Sequence, residues 1–340
     1  MMLTPCKGLL IPEGYCSPLN VRQTEKAIKE IKLFFEDALS HALNLERISA
    51  PLFVAPETGY NDNLNGVERP VSFDLKDANG KVIEVVHSLA KWKRMALGKY
   101  GFLPGEGLYT DMDAIRRDED MDNLHSIYVD QWDWELVIEK SQRTMETLKD
   151  VVSKIYAAIR DTERKFAADC GLKSTLPDEI KFITSQELLD LYPDLDAKGR
   201  ENAIAKEYGA VFLMQIGCKL SNGEKHDGRA PDYDDWSLNG DILVWYDVLD
   251  RALELSSMGI RVDEEALEYQ LMTAGMEERK SLKFHRDLLA GKLPYTIGGG
   301  IGQSRLCMFV LKKCHVGEVQ ASIWPDEMIE KCCEYGVHIL

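Results

Sequence analysis

The apolar positions of this chain follow two periods, and their succession predicts helices interleaved with strands. From Thr24 to Leu43, Ile28, Ile31, Phe34, Phe35, Ala38, Leu39 and Ala42 recur at three and four, the stripe of an amphipathic helix. VSFDLK and KVIEVVH flank Asp77-Ala78-Asn79-Gly80, whose Asn-Gly pair predicts a hairpin. Ser88 is placed to cap a helix carrying Lys91, Lys93 and Arg94, basic residues that on most helices form a solvated face. Ile138, Met145, Leu148, Val152, Ile155, Ile159 and Phe166 predict a helix of roughly 30 residues from Glu135 to Ala168. KFITSQELL reads as a strand meeting a helix capped by Ser185, and Ala197 to Lys206 as another short helix. GAVFLMQIG is a buried strand by its continuous apolar run, and GDILVWY from Gly240 and ALELSSMGIRV ending at Val262 add two more. Two helices are expected between Asp263 and Leu289, and EVQASIWP reads as a closing strand. Residues 1–20, punctuated by Pro and Gly, are expected to pack loosely as an extension to a single domain over residues 21–340. Residues 56–70 form a polar loop long enough to cover a site.

Composition narrows the partners. A chain of 340 residues, 45% hydrophobic and 29% charged, is ordinary globular material. Its net charge of −16 argues against a nucleic acid as main partner, because phosphate neutralisation needs clustered Lys and Arg. No stretch approaches the run of about 18 apolar residues a membrane span needs, and no basic segment followed by an apolar block opens the chain. A cytoplasmic protein is expected. The eight cysteines include no C-x-x-C and no zinc spacing, so free thiols fit.

Chemistry concentrates between Ile115 and Glu135. Arg116, Arg117, Asp118, Glu119 and Asp120 make a charged turn, and the return strand alternates so that Gln131, Asp133 and Glu135 share a face. Exposed acids on an edge strand are the plain explanation of such alternation. Two Trp on the same strand and the Arg-rich turn favour a pocket floor, where arginines hold phosphate and carboxylates orient an amine. The acidic run Arg229-Ala230-Pro231-Asp232-Tyr233-Asp234-Asp235 is either an ordinary loop or faces an ammonium. Gly298 to Arg305, a glycine run ending in an Arg at a helix start, lacks the acid and βαβ setting of a dinucleotide fold.

Arg117-Asp118-Glu119-Asp120 with Gln131-Trp132-Asp133-Trp134-Glu135 resembles motif 2 of class II aminoacyl-tRNA synthetases of the aspartyl branch. Leu45, Ile48, Pro51, Leu52 and Phe53 resemble motif 1, Ser88 and Lys93 the branch's Ser-Lys pair, and Glu254 with Arg261 its Glu-to-Arg strand. Gly300, Gly302 and Arg305 resemble motif 3, with Ser304 in place of its Glu. The strings HSLAKWKR, HSIYVDQWDWE, RAPDYDDW, ELSSMGIRVD and GGGIGQSR identify the chain more narrowly as similar to the ammonia-dependent asparagine synthetases, the aspartate–ammonia ligases.

That resemblance implies an α+β fold, a largely antiparallel mixed sheet flanked by helices, and a homodimer acting on L-aspartate, ammonia and ATP with Mg²⁺. It places Arg116 in preference to Arg117, together with Arg305, at the α-phosphate, and the glycines Gly300 and Gly302 against the nucleotide. Glu119, Glu254 and Asp241 are implied as nucleotide or Mg²⁺ contacts. Lys93 and Arg261 would hold the α-carboxylate, while Ser88, Gln131, Asp133 and Asp234 take the α-ammonium. Asp62 is the candidate for holding and deprotonating the ammonium substrate. A synthetase-like paralogue acting on RNA or protein and a non-catalytic amino-acid-binding paralogue are the alternatives.

Overall fold

Residues 1–62 and 68–340 are described by a computed structural model, and the chain enters it through a hairpin, β1 (Met2–Cys6) with β2 (Leu9–Pro12). Loose packing does not describe this segment. Leu9 and Ile11 are fully buried, Tyr15 donates to Glu318 at 2.9 Å, and Lys313 donates to the Ser17 hydroxyl and the Leu19 carbonyl. Apolar residues at alternate positions of a short strand let one face join the core despite the surrounding Pro and Gly.

Helix α1 (Val21–Leu43) begins at a capping box between Asn20 and Gln23 and ends at Asn44, which takes the left-handed conformation at φ 54°. Strands β3 (Leu45–Arg47), β4 (Phe53–Val54), β5 (Ser72–Leu75) and β6 (Lys81–Val85) follow, with Asn79 and Gly80 at φ 55° and 75° in the hairpin turn. Of the polar loop at 56–70, residues 63–67 lie outside the described residues. Helix α2 (Ala90–Tyr100) has Leu89 at its cap position, while the Ser88 hydroxyl accepts from the Ala90 N–H at 3.2 Å. Its Lys91, Lys93 and Arg94 are buried and not solvated.

Strands β7 (Gly107–Ile115) and β8 (Tyr128–Val137) form the predicted charged hairpin. The helix expected from Glu135 starts later, as α3 (Met145–Cys170), capped by Thr144. Glu135 to Val137 stay in β8 because they pair on both sides, Leu136 opposite Gly107 and Ile297. Then come β9 (Lys181–Thr184), α4 (Ser185–Leu191), α5 (Ala197–Tyr208), β10 (Ala210–Met214), β11 (Asp234–Tyr246) and β12 (Arg251–Arg261). Thr184, not Ser185, caps α4; the Ser185 hydroxyl instead donates to the Gln215 carbonyl. The chain continues through α6 (Glu264–Ala274), α7 (Lys283–Leu289), β13 (Thr296–Gly302), α8 (Gln303–Val310) and α9 (Asp326–Glu334). The expected closing strand near 318–325 does not form. Its side chains are drawn inward, Gln320 donating to Asp130 and Ser304 and Trp324 packing on His315.

An eight-stranded sheet in the order β3-β7-β8-β13-β12-β11-β10-β9 organises the molecule, parallel only at its two outermost pairs. The main core lies between one face of this sheet and α1, α3 and α8. Trp132 and Trp134 point into it, Trp132 against Phe35 with ring centroids 4.7 Å apart. The two-residue alternation therefore sends Gln131, Asp133 and Glu135 to the opposite face. Among the described residues no helix is long and apolar enough to cross a membrane.

His315 gives the fold a pH dependence. The ring is fully buried, its Nδ1 accepts from the Gly317 N–H at 3.0 Å, and burial lowers its pKa to about 4 from 6.5, with Asp122 pulling weakly the other way. Between those values the unfolded chain binds more protons than the folded one, so stability falls as pH drops from 6.5 towards 4. The loss is on the order of 3 kcal/mol. His315→Asn keeps an acceptor for Gly317 and removes the titrating site. Denaturation midpoints compared at neutral pH and at about pH 4.5 should fall less in the variant than in the parent; an equal fall refutes this assignment.

Candidate functional site

The polar face of the sheet lines a cavity of about 460 Å³, floored by β8, β13, β12 and the start of β11. Arg116, Glu119, Asp62, Ser88, Gln131, Asp133, Asp234, Glu254, Arg261, Gly300, Gly302 and Arg305 all line it. Residues far apart in the chain are thus brought to one wall.

Two backbone features make this possible. Glu254 and Arg261 are an odd number of residues apart and on a regular strand would face opposite ways. Between the pairs Ile242–Ser256 and Leu243–Glu254 the ladder slips by one residue, and this bulge resets the alternation. Glycines on β13 then leave room for the side chains of β8. A Cβ at Gly298 would collide with Glu135 Oε2 and Arg261 Nη2, and one at Gly300 with Gln131 Oε1.

One half of the cavity is built on paired buried charges. Arg261 donates from Nε to Glu135 Oε1 at 2.9 Å, from Nη2 to Glu135 Oε2 at 2.7 Å, and from Nη1 to Asp234. Burial would raise the Glu135 pKa, but Arg261, Lys93 and the Thr296 hydroxyl hold the carboxyl below its usual range. For Asp234 burial wins, and the pKa is raised despite Arg261 and Arg229. Tyr233 lies close by, its phenol pushed well up by burial and by the charges of Asp62 and Asp234.

Lys93 requires a correction. It does not line the cavity: its ammonium is fully buried and donates to Asp133, to the Trp134 carbonyl at 2.9 Å and to the Gly299 carbonyl at 3.1 Å. All three N–H groups are occupied, so in this arrangement Lys93 reaches a ligand only through Asp133. Burial draws Lys93 down and Asp133 up, both towards their uncharged forms.

The other half is rich in arginine. Arg305 donates to the Glu254 carbonyl at 3.2 Å, and its nearest carboxylate oxygen is Glu254 Oε2 at 3.9 Å. Arg116 lies equally far from Glu119, at 3.9 Å. Arg229 is held by Asp241, yet the Nε atoms of Arg116 and Arg229 are buried with no hydrogen-bond partner among the described residues. Loosely paired guanidinium groups with unused donors suit a phosphate chain. Arg117, by contrast, is exposed and away from the cavity.

Asp241 also departs from expectation. It is not on the cavity wall, and both of its oxygens accept from Arg229. Burial pushes its pKa up to about 7, Glu254 adding to the rise and Arg229 opposing it. It anchors an arginine where a metal contact was expected. Among the described residues no three His, Cys, Asp or Glu side chains converge as a metal cage. Glu254 remains on the wall, its pKa raised by burial but held lower overall by Arg305 and Arg229. One carboxylate beside loosely paired arginines is the donor on this wall that would hold a Mg²⁺, a hard cation that takes carboxylate oxygens.

Several wall residues escaped the sequence reading. Arg229 and Tyr233 sit inside the acidic run, where the charge pattern points to the acids alone; His87 heads the Ser-Lys segment, whose motif covers only Ser88 and Lys93. Asp130 carried no signal at all. Its carboxylate accepts from the Ser304 N–H at 3.0 Å, the Ser304 hydroxyl at 2.8 Å and Gln320 at 3.2 Å. An acid from β8 is thus bound to Ser304, the residue that replaces the Glu of the motif 3 pattern.

Residues 22–336 match the family model for aspartate-ammonia ligase. A protein of Ruminiclostridium cellulolyticum named aspartate--ammonia ligase is 63% identical over 98% of this chain and 99% of its own length. Proteins of the same name from Clostridium perfringens and Ligilactobacillus salivarius are 62% and 60% identical, each over 98% of this chain and 99% of their own. Among solved structures, asparaginyl-tRNA synthetase of Pyrococcus horikoshii complexed with asparaginyl-adenylate superposes with a TM-score of 0.63 at 16% identity, over 89% of this chain and 70% of that one. The Entamoeba histolytica asparaginyl-tRNA synthetase in complex with asparaginyl-adenylate gives 0.64 at 13%, over 88% and 66%. This likeness shows the fold, the α+β class II synthetase-like architecture with its mixed sheet.

The glycine requirement on β13 is testable by stability. Gly298→Ala should cost about 3–5 kcal/mol, because its Cβ parts a buried ion pair. Gly300→Ala meets only the movable amide of Gln131 and should cost about 1–3 kcal/mol. Equal denaturation midpoints for the two variants would show that Glu135 and Arg261 are not so confined.

Proposed function

The chain belongs to the aspartate–ammonia ligase family, and from that premise we propose that it joins ammonia to the β-carboxylate of L-aspartate, driven by ATP, through a β-aspartyl adenylate. The products are L-asparagine, AMP and pyrophosphate. The observation that carries the reading is the divided polarity of one cavity. Loosely paired arginines line the part that would take the triphosphate, and Asp62, Asp133, Asp234 and Arg261 line the part that would take an amino acid and a small cation.

A carboxylate is a poor acceptor for an amine, so it must first gain a leaving group. The β-carboxylate attacks the α-phosphorus, a new P–O bond forms and pyrophosphate departs. Arg116 and Arg305 offset the charge developing at the phosphoryl oxygens, and Arg229, held by Asp241, supports the pyrophosphate side. Mg²⁺, with Glu254 as its contact from the chain, would draw charge from the phosphate oxygens. Gly300 and Gly302 let backbone lie close to the nucleotide.

For aspartate, Arg261 keeps one N–H on each terminal nitrogen beyond those given to Glu135 and Asp234, enough to receive the α-carboxylate. Gln131, Asp133 and Asp234, with Ser88, take the α-ammonium. Lys93 fixes Asp133 from behind. Asp62, buried at the edge of this half, holds the ammonium substrate.

We assign a homodimer through the motif 1 segment, a reading supported by apolar side chains left about half exposed there: Leu52 at 50% and Phe53 at 46%, with Phe73 and Val82 beside them on the small sheet β4-β6-β5. A cytoplasmic setting agrees with unpaired cysteines among the described residues. Residues 21–340 are read as one catalytic domain with residues 1–20 docked on it.

Incubation with L-aspartate, ATP, Mg²⁺ and ammonium should yield asparagine and AMP in equal amounts; no asparagine would overturn the reading. Arg116→Ala and Arg305→Ala should each lower aspartate-dependent exchange of pyrophosphate into ATP by about 10²–10³-fold. Neither should move the melting temperature much, since both side chains make only loose contacts. Exchange near the parent rate would remove the residue from the phosphate site.

A further inference from the structure

The corner of the cavity beside Asp62 holds a second group for which the reaction has a use. Asn61 brings two backbone segments together there. Its Oδ1 accepts from the N–H of Asp62 at 3.0 Å and from the N–H of His87 at 2.9 Å, while its Nδ2 donates to Glu84 at 3.0 Å and to the Val85 carbonyl at 3.3 Å. The imidazole of His87 is thereby fixed against the chain at Asp62, its Nδ1 lying 3.0 Å from the Asp62 carbonyl oxygen. A carbonyl oxygen only accepts, so Nδ1 carries the hydrogen, and in the neutral ring the lone pair is on Nε2. His87 is 1% exposed and lines the cavity; Nε2 is buried with no hydrogen-bond partner among the described residues. A buried lone pair without a partner is costly, and a catalytic role is one reason for a protein to keep it.

We propose that His87 is the base that converts ammonium to ammonia, with Asp62 holding the cation beside it. This rests on the ligase reading and deepens it. Ammonium is the prevalent form at neutral pH and has no lone pair to attack with. A carboxylate attracts it by charge, but an imidazole nitrogen is the stronger base of the two. In the step, one N–H bond of ammonium breaks and its proton passes to Nε2, giving an imidazolium whose Nδ1–H stays on the Asp62 carbonyl. The freed lone pair forms a C–N bond to the β-carbonyl carbon of the adenylate. The C–O bond to AMP then breaks, AMP leaves with that electron pair, and the surplus proton on the new amide nitrogen passes to water.

His87→Asn separates this role from a structural one, because the Asn amide can still donate to the Asp62 carbonyl but offers no imidazole. Three rates are read in parent and variant: aspartate-dependent pyrophosphate exchange, asparagine formation from ammonium, and aspartyl hydroxamate formation from hydroxylamine, a nucleophile already unprotonated at neutral pH. The expected result is unchanged exchange, unchanged hydroxamate formation and a fall of about 10²-fold or more in asparagine formation. Three results overturn the proposal: asparagine formation near the parent rate, equal losses with ammonium and hydroxylamine, or loss of exchange itself. Failure of the parent to form asparagine would instead sink the ligase reading.

Discussion

Arg261 between Glu135 and Asp234 is the interaction on which the site is built. Burying three ionised groups in a sheet interior is costly unless each is paired and hydrogen-bonded, and here the pairing is nearly complete. Glu135 accepts from Arg261 and Thr296 with Lys93 3.6 Å away, so its position is determined from three elements at once. Such a network adds little net stability over an apolar core, but it leaves directed N–H and carboxylate groups at the cavity surface with almost no freedom to move. The wall thereby alternates in charge in the sense complementary to an amino acid, itself a carboxylate beside an ammonium.

Supporting this network needs a sheet that departs from its own regularity. A strict alternation on β12 would place Glu254 and Arg261 on opposite faces, one of them in the apolar core among Leu253, Leu255 and Met258. The bulge at Leu255 corrects the phase where the strand passes from the arginine-rich half of the cavity to the half built on paired charges. The glycines of β13 act in concert, since removing their side chains is what lets Gln131 and Glu135 of the neighbouring strand lean across. Two local irregularities, each of which a sequence pattern registers only as weak strand propensity, convert a pleated surface into a binding wall.

What could be read in advance follows from the same physics. The α1 stripe, the Asn-Gly hairpin and the β8 alternation were legible because burial on one side imposes a period on contiguous residues. That Arg116, Arg305, Gln131, Asp133, Glu254 and Arg261 share one cavity wall was legible because they stand in or beside motifs at fixed spacing, and Asp234 because it stands in a dense acidic run. The burial of Lys93 was not legible, since it depends on partners from β8 and β13 that lie far away in the chain. The onset of α3 was missed because pairing to two neighbouring strands outweighed a helical run of apolar residues. Asp241 and Asp130 were misjudged or unseen for a shared reason. Each acts on another side chain, Arg229 or Ser304, and nothing in local spacing signals such a partner.

The arginine-rich half depends on contacts more remote still. Asn123, buried in the loop between β7 and β8, accepts from the Leu10 N–H at 2.7 Å and donates to the carbonyls of Leu10 and Cys314 at 2.7 and 2.6 Å. Its own carbonyl accepts from Val316 at 2.8 Å, and the carbonyl of the next residue, Leu124, accepts from Arg305 at 3.4 Å. Through one amide the N-terminal hairpin, the motif 2 loop and the segment after α8 are joined beside the arginine assigned to the phosphate. A rate enhancement that rests on fixed charge needs the charge held still, and a loop of this length would not hold it alone. The segment expected to pack loosely is therefore tied, through Asn123, to the loop whose Leu124 carbonyl accepts from Arg305.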